Sequence, residues 1–131
     1  MSSEAGLYKI LIMDDQELIL ESSSELLTIL GYDVETSKNG EEAASLFENA
    51  YNEGEPFDLV ILDLTVPGGM GGVKTLATMK KITSDFKAVV SSGYSNDPIM
   101  SDYKNYGFDG VLIKPFKLEV LQETLDKLFR D

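Results

Sequence analysis

The sequence contains no cysteine, no histidine and no tryptophan. Without cysteine there is no disulfide framework and no thiol chemistry, which is compatible with a reducing location, and the cytoplasm is expected. Without histidine there is no imidazole for acid–base catalysis, no phospho-histidine on this chain and no Cys/His zinc site. A metal is left with oxygen ligands, which narrows the choice to Mg2+, Ca2+ or Mn2+. Positive charge is scarce as well: 11 Lys and Arg stand against 23 Asp and Glu, a formal net charge of −12. Such a surface repels nucleic acid and anionic membrane, and neither is expected as a partner. No apolar run approaches the ~18 residues of a membrane span, and the N-terminus lacks a signal-peptide pattern.

What is present is a chain of 131 residues, 43% hydrophobic, enough for one globular domain with its own core. Residues 1–7 read as a flexible lead-in and 8–131 as the domain. Its organising stretch is Leu59-Val60-Ile61-Leu62-Asp63, bounded by Pro56 before it and Pro67-Gly68-Gly69 after it. A short apolar run between turn signals reads as a strand buried on both faces, the kind found inside a parallel sheet. Other apolar runs also end in polar residues. Asp14 and Asp15 follow Ile10 to Met13, Ser91 and Ser92 follow Ala88 to Val90, and Lys114 follows Val111 to Ile113.

Periodicity and punctuation predict strands over 8–13, 32–37, 57–62, 86–90 and 110–113. They predict helices over 16–30, 41–52, 73–82, 98–106 and 117–129. The first helix shows a face of Ile19, Ser23, Leu26 and Leu30, with Leu20 and Leu27 beside it. The second shows Ala43, Phe47, Ala50 and Tyr51, and the last Leu118, Leu121, Leu125 and Leu128. Asp14-Asp15 can cap the first helix, Asn39-Gly40 reads as a turn, and Asp97-Pro98 as an N-cap with proline at N1. The glycines at 68, 69, 71 and 72 suggest a mobile loop. Five alternations of strand and helix imply an α/β domain, a parallel sheet covered on both faces. In such sheets ligands bind at the carboxyl ends of the strands, so Asp14, Asp15, Asp63, Ser92 and Lys114 define one expected site.

Three carboxylates in one crevice repel one another. At ~5 Å and an effective dielectric of ~20, each pair costs about 3 kcal/mol. Lys114 offsets one charge, and a divalent cation such as Mg2+ is the natural complement. With both in place the site can accept an anion, for which a phosphoryl group is the obvious candidate. Asp63 is then the candidate nucleophile, with Lys114 neutralising the transferring group and Ser92 hydrogen-bonding one of its oxygens.

Asp14-Asp15 after the first strand, Leu62-Asp63-Leu64 with Pro67 four residues beyond the acid, Ser92-Gly93 after the fourth strand and Lys114-Pro115-Phe116 after the fifth carry a resemblance. From about residue 8 to 129 the chain resembles a response-regulator receiver domain of two-component signalling. The resemblance implies a flavodoxin-like (βα)5 three-layer sandwich with strand order 2-1-3-4-5. It implies Asp63 as phospho-acceptor, with Asp15, Asp63 and the backbone carbonyl of Thr65 holding Mg2+, or Mn2+ in its place, and Asp14 acting largely through water. Ser92 is implied as the switch hydroxyl, and Lys114 as the partner of a phosphoryl oxygen, followed by a cis Lys114–Pro115 bond. Thr65 and Tyr94 are implied to tune dephosphorylation. The implied partner is a histidine kinase or a His-containing phosphotransfer domain, and a homodimer fits the same pattern. Such a domain catalyses its own phosphorylation and slow dephosphorylation but is not a turnover enzyme. Its signal is a change of surface near the fourth helix, fifth strand and fifth helix.

Two positions depart from the family pattern. Where the family often has an aromatic residue three positions before the lysine, this chain has Val111. The loop Pro67-Gly68-Gly69-Met70-Gly71-Gly72 is a residue longer than usual and lacks the usual Asp. With Ser91-Ser92-Gly93-Tyr94-Ser95, this looks most like receivers of hybrid sensor histidine kinases. A module that binds partners on the same fold without phosphorylation is the alternative. A haloacid-dehalogenase-type phosphatase needs a second acid where Thr65 stands. A flavodoxin needs a hydroxyl-rich loop where Asp14-Asp15 stands.

Overall fold

All five residues of Leu59–Asp63 are buried, as an apolar run covered on both faces requires. This strand, β3, sits at the centre of a five-stranded sheet in a computed structural model that describes residues 8–130. The expected lead-in at residues 1–7 lies outside the described residues. The elements are β1 Lys9–Met13, α1 Glu17–Ile29, β2 Asp33–Ser37, α2 Gly40–Asn52, β3, α3 Gly72–Lys80, β4 Lys87–Ser92, α4 Pro98–Ser101, β5 Gly110–Ile113 and α5 Leu118–Arg130. All pairings are parallel and the order is β2-β1-β3-β4-β5, the flavodoxin-like arrangement the resemblance implied.

Successive side chains of a strand point to opposite faces, so one sheet serves two cores. Leu11, Met13, Val60, Leu62, Ala88 and Val90 pack with α2, α3 and α4 through residues such as Phe47, Leu76, Met79 and Met100. Ile10, Ile12, Leu59, Ile61, Val89 and Leu112 pack with α1 and α5 through Leu20, Leu27, Leu121 and Leu125. Three layers result. At the amino ends of the strands the rings of Tyr8 and Phe129 stack, centroids 4.0 Å apart, with Tyr32 tilted against them.

Several local expectations are corrected. The buried line of α1 is Leu20, Ser23 and Leu27, while Ile19, Leu26 and Leu30 lie at its margins. Tyr51 of α2 is exposed, because it lies past the edge of the stripe formed by Ala43, Phe47 and Ala50. Asn39 is an N-cap rather than a turn residue: its Oδ1 accepts from the Glu42 N–H at 2.8 Å, and Glu42 Oε1 accepts from the Lys38 N–H at 2.7 Å. The N-cap of α1 is Gln16, whose N–H donates to Asp14 Oδ1 at 2.9 Å.

The largest correction is the fourth helix. It stops after one turn at Ser101, Asp102 leaves helical geometry (φ −115°, ψ 28°), and a separate 3-10 turn follows at Tyr103–Tyr106. Met100 and Phe108 anchor this stretch in the core, and Ser101, Asp102, Lys104 and Asn105 between them are exposed. Ile99 and Tyr103 also pack, partly buried, against the same cluster, so the break falls at the exposed Asp102 within a stretch that is apolar on one side. Asp102 and Asn105 bond each other, at 2.6 Å, as short polar side chains do in turns.

Candidate functional site

Parallel strands bring their carboxyl ends to one rim. There β1 delivers Asp14 and Asp15, β3 Asp63, β4 Ser91 and Ser92, and β5 Lys114. Carboxylate oxygens of Asp14, Asp15 and Asp63 lie within 4.8 Å of one another. Asp14 and Asp63 are buried, at 1% and 3% exposure, while Asp15 is open to solvent. Lys114 Nζ bridges the two buried acids, 2.8 Å from Asp14 Oδ2 and 3.2 Å from Asp63 Oδ1. Its tighter partner is Asp14, which the sequence did not indicate.

Burial raises the Asp63 carboxyl to about 6, with the neighbouring Asp14 charge adding to the rise. The Lys114 ammonium and the Thr65 N–H oppose it. Lys114 is itself raised: burial works to lower it, but its hydrogen bond to Asp14 and the charges of Asp63 and Asp14 prevail. Three carboxylates against one ammonium make a site short of positive charge. An all-oxygen donor set with excess negative charge suits a hard divalent cation, and Mg2+ takes one or two carboxylates readily. The residues therefore fit the ion that the composition left open.

Ser92 ends β4 beyond Ser91, which is paired in register with Asp63. Its hydroxyl is nearly buried and accepts from the Tyr94 N–H at 3.0 Å. The Lys114 N–H donates to the Ser92 carbonyl at 2.8 Å, tying the hydroxyl and the lysine to one frame. The Lys114–Pro115 bond is cis. Thr65 is exposed at the mouth of the acid cluster, and the Tyr94 side chain is 75% exposed.

Gly71 and Gly72 contribute something the loop's sequence did not disclose. A Cβ on Gly72 would stand 2.7 Å from the Asp63 carbonyl oxygen, and one on Gly71 2.7 Å from that of Leu64. The start of α3 is thus pressed against the backbone that carries Asp63. The expected mobile loop is instead a close-packed one on that side, although Gly68 does need its positive φ of 75°.

Residues 10–126 match the response regulator receiver domain family. The chain is 30% identical over 127 residues to the transcriptional regulatory protein CrdR of Helicobacter pylori, covering 94% of this chain and 55% of that protein. It is 29% identical over 119 residues to the sporulation initiation phosphotransferase F of Bacillus subtilis, covering 91% of each. The chain spans about half the length of the transcriptional regulators it matches. Among solved structures, the response regulator TrrA of Thermotoga maritima in complex with Mg2+ and beryllium fluoride is 33% identical, with a TM-score of 0.77 over 92% of this chain and 98% of that one. A match this long, on a sheet of the expected order, leaves one reading: the chain belongs to the response regulator receiver domain family, a phospho-acceptor signalling domain rather than a metabolic enzyme.

Proposed function

We propose that Asp63 is the phospho-acceptor, and that its donor is the phospho-histidine of a histidine kinase or a His-containing phosphotransfer domain. The observation that carries this is the bridge from Lys114 to a buried, raised carboxylate at the rim of the central strand. An oxygen of Asp63 attacks phosphorus and the P–N bond to the donor imidazole breaks. The electron pair leaves with the imidazole nitrogen, which takes up a proton from water. Lys114 Nζ pairs with the charge on the transferred oxygens, and Ser92 Oγ donates to one of them. Asp15, Asp63 and the Thr65 carbonyl would hold Mg2+, or Mn2+, with Asp14 acting through water. Bound there, the ion supplies neutralising charge on the phosphoryl group. The domain promotes its own phosphorylation and slow hydrolysis in this way, and the output is a change near α4, β5 and α5.

The reading takes 8–131 as the receiver unit, at work in the cytoplasm, and the Pro67–Gly72 and Ser91–Ser95 segments favour a hybrid sensor kinase as its context. Among the described residues no helix is long and apolar enough to cross a membrane. A second copy of the chain is included among the proposed partners.

Intact-mass spectrometry after acetyl phosphate, with and without Mg2+, tests the proposal. One Mg2+-dependent phosphoryl adduct is expected on the wild type and none on Asp63→Ala. An adduct that survives the substitution refutes the assignment. Absence of any adduct, with an NMR spectrum unmoved by Mg2+ and beryllofluoride, favours the phosphorylation-independent module that Val111 first suggested.

A further inference from the structure

Thr75 lies on α3 and is fully buried. Its hydroxyl donates to the Gly71 carbonyl at 2.8 Å, an oxygen that also accepts from the Thr75 N–H at 2.9 Å. The backbone bond by itself closes the first turn of α3, so the hydroxyl bond is not needed for the helix to start. What it adds is a fixed spacing between α3 and the loop that leads into it.

The far side of Thr75 is closed by the start of α2. A Cβ on Gly40 would collide with Thr75 Oγ1 and stand 2.6 Å from the Met70 carbonyl oxygen, so only glycine fits there. That end of α2 is tied to the acid cluster from the other direction: the Asp14 N–H donates to the Ser37 carbonyl at 3.1 Å, and Asn39 caps the helix two residues later. Beyond Gly71, the Gly72 N–H donates to the Leu64 carbonyl at 3.3 Å, and the Leu64 N–H to the Ser91 carbonyl at 2.8 Å. Thr75 therefore stands in a packed path between the backbone that carries Asp14 and the backbone that leads into Thr65.

We infer that Thr75, seated against Gly40, is a positioning residue for the metal site: its hydroxyl sets how far the Thr65 carbonyl stands from Asp14, Asp15 and Asp63. This rests on the assignment of Mg2+ to that site above. Mg2+ demands near-ideal octahedral geometry, whereas Ca2+ accepts a looser and more variable set of oxygens. A displaced loop thus penalises Mg2+ more than Ca2+. Thr75→Val supplies the displacement. A methyl carbon keeps about 3.3 Å or more from a carbonyl oxygen, where the hydroxyl stands at 2.8 Å. Gly40 leaves Thr75 no room to retreat, so the Gly71 end of the loop gives way.

The test is a titration with Mg2+ and, separately, with Ca2+, followed through the backbone amides of Asp15, Asp63 and Thr65 by 1H–15N NMR. Thr75→Val should weaken Mg2+ by about tenfold, the lower end of what losing a group that orients a metal ligand costs, and Ca2+ by no more than about twofold. Thr75→Ser, which restores the hydroxyl, should return both constants to near the wild-type values. Thr78→Val serves as control: its hydroxyl donates to the Lys74 carbonyl at 3.0 Å on the same helix, away from the loop, and its loss should leave both constants unchanged. Wild-type amides unmoved by Mg2+ would refute the metal site itself, and the inference with it. Mg2+ binding in the wild type, with Thr75→Val equal to it, or weakened equally for both ions, or not rescued in Thr75→Ser, would overturn the inference alone.

Discussion

Asp63→Asn should make the metal-free protein more stable, and the gain should depend on pH in a defined direction. Asp63 is buried at 3% exposure, and its carboxyl is raised from 3.8 to about 6. The folded state therefore binds this proton more tightly than the unfolded state, so this group's contribution to stability falls as pH rises. The loss begins near 3.8 and is complete somewhat above 6, where it amounts to about 3 kcal/mol, since each pH unit between the two values is worth about 1.36 kcal/mol. Asparagine has the shape of the protonated acid and no charge, and Lys114 keeps Asp14 at 2.8 Å as its partner. Urea denaturation of both proteins in chelator, at several pH values from 4 to 8, gives the difference directly, and carboxylates remote from the Asp14–Asp63–Lys114 cluster cancel in it. We expect Asp63→Asn to be more stable by roughly 1–3 kcal/mol at pH 7.5 and about equal near pH 4. Millimolar Mg2+ should narrow or reverse the difference by binding the wild type in preference. Equal or lower stability of the variant at pH 7.5 without metal would refute the account of a repulsive, desolvated acid cluster. So would a gap that does not close on acidification.

Gly72→Ala should destabilise the fold by about 1–3 kcal/mol, because its Cβ would meet the Asp63 carbonyl at 2.7 Å and force α3 away from β3; a thermal melt within a degree of wild type would contradict this. The same substitution should weaken Mg2+ binding measured by calorimetry, since the displaced backbone carries Asp63. Tyr94→Ala should shorten the lifetime of the phosphoryl group, on the view that the ring's bulk hinders the attacking water. An unchanged rate of phosphate release would discard that role for Tyr94.

The strand ends were legible because their signal is simple: an apolar run, a turn residue and a polar residue between them. That is why the sequence alone places Asp14, Asp15, Asp63, Ser92 and Lys114 at one rim. The phase of α1 was harder, since Ile19-Ser23-Leu26-Leu30 and Leu20-Ser23-Leu27 both fit a 3.6-residue period, and only docking on Ile10, Ile12, Leu59 and Ile61 chooses between them. The break in the fourth helix was hidden because Asp97-Pro98 marks a start and Gly107 a stop, while Asp102 between them reads as an ordinary exposed position. The role of Gly72 could not be read at all. It follows from a close approach to a carbonyl nine residues earlier in the chain, which composition does not encode. Nor does spacing say which acid Lys114 prefers, since that depends on the rotamers packed around it.

The stack of Tyr8 on Phe129 has an architectural consequence. It holds the entry and exit of the fold side by side, on the opposite edge of the sheet from the acids, about 17 Å away for a five-residue strand. A module with adjoining ends can be spliced into a loop of a host protein without prying the host apart. Tyr8 and Phe129 stand away from the rim that carries Asp63.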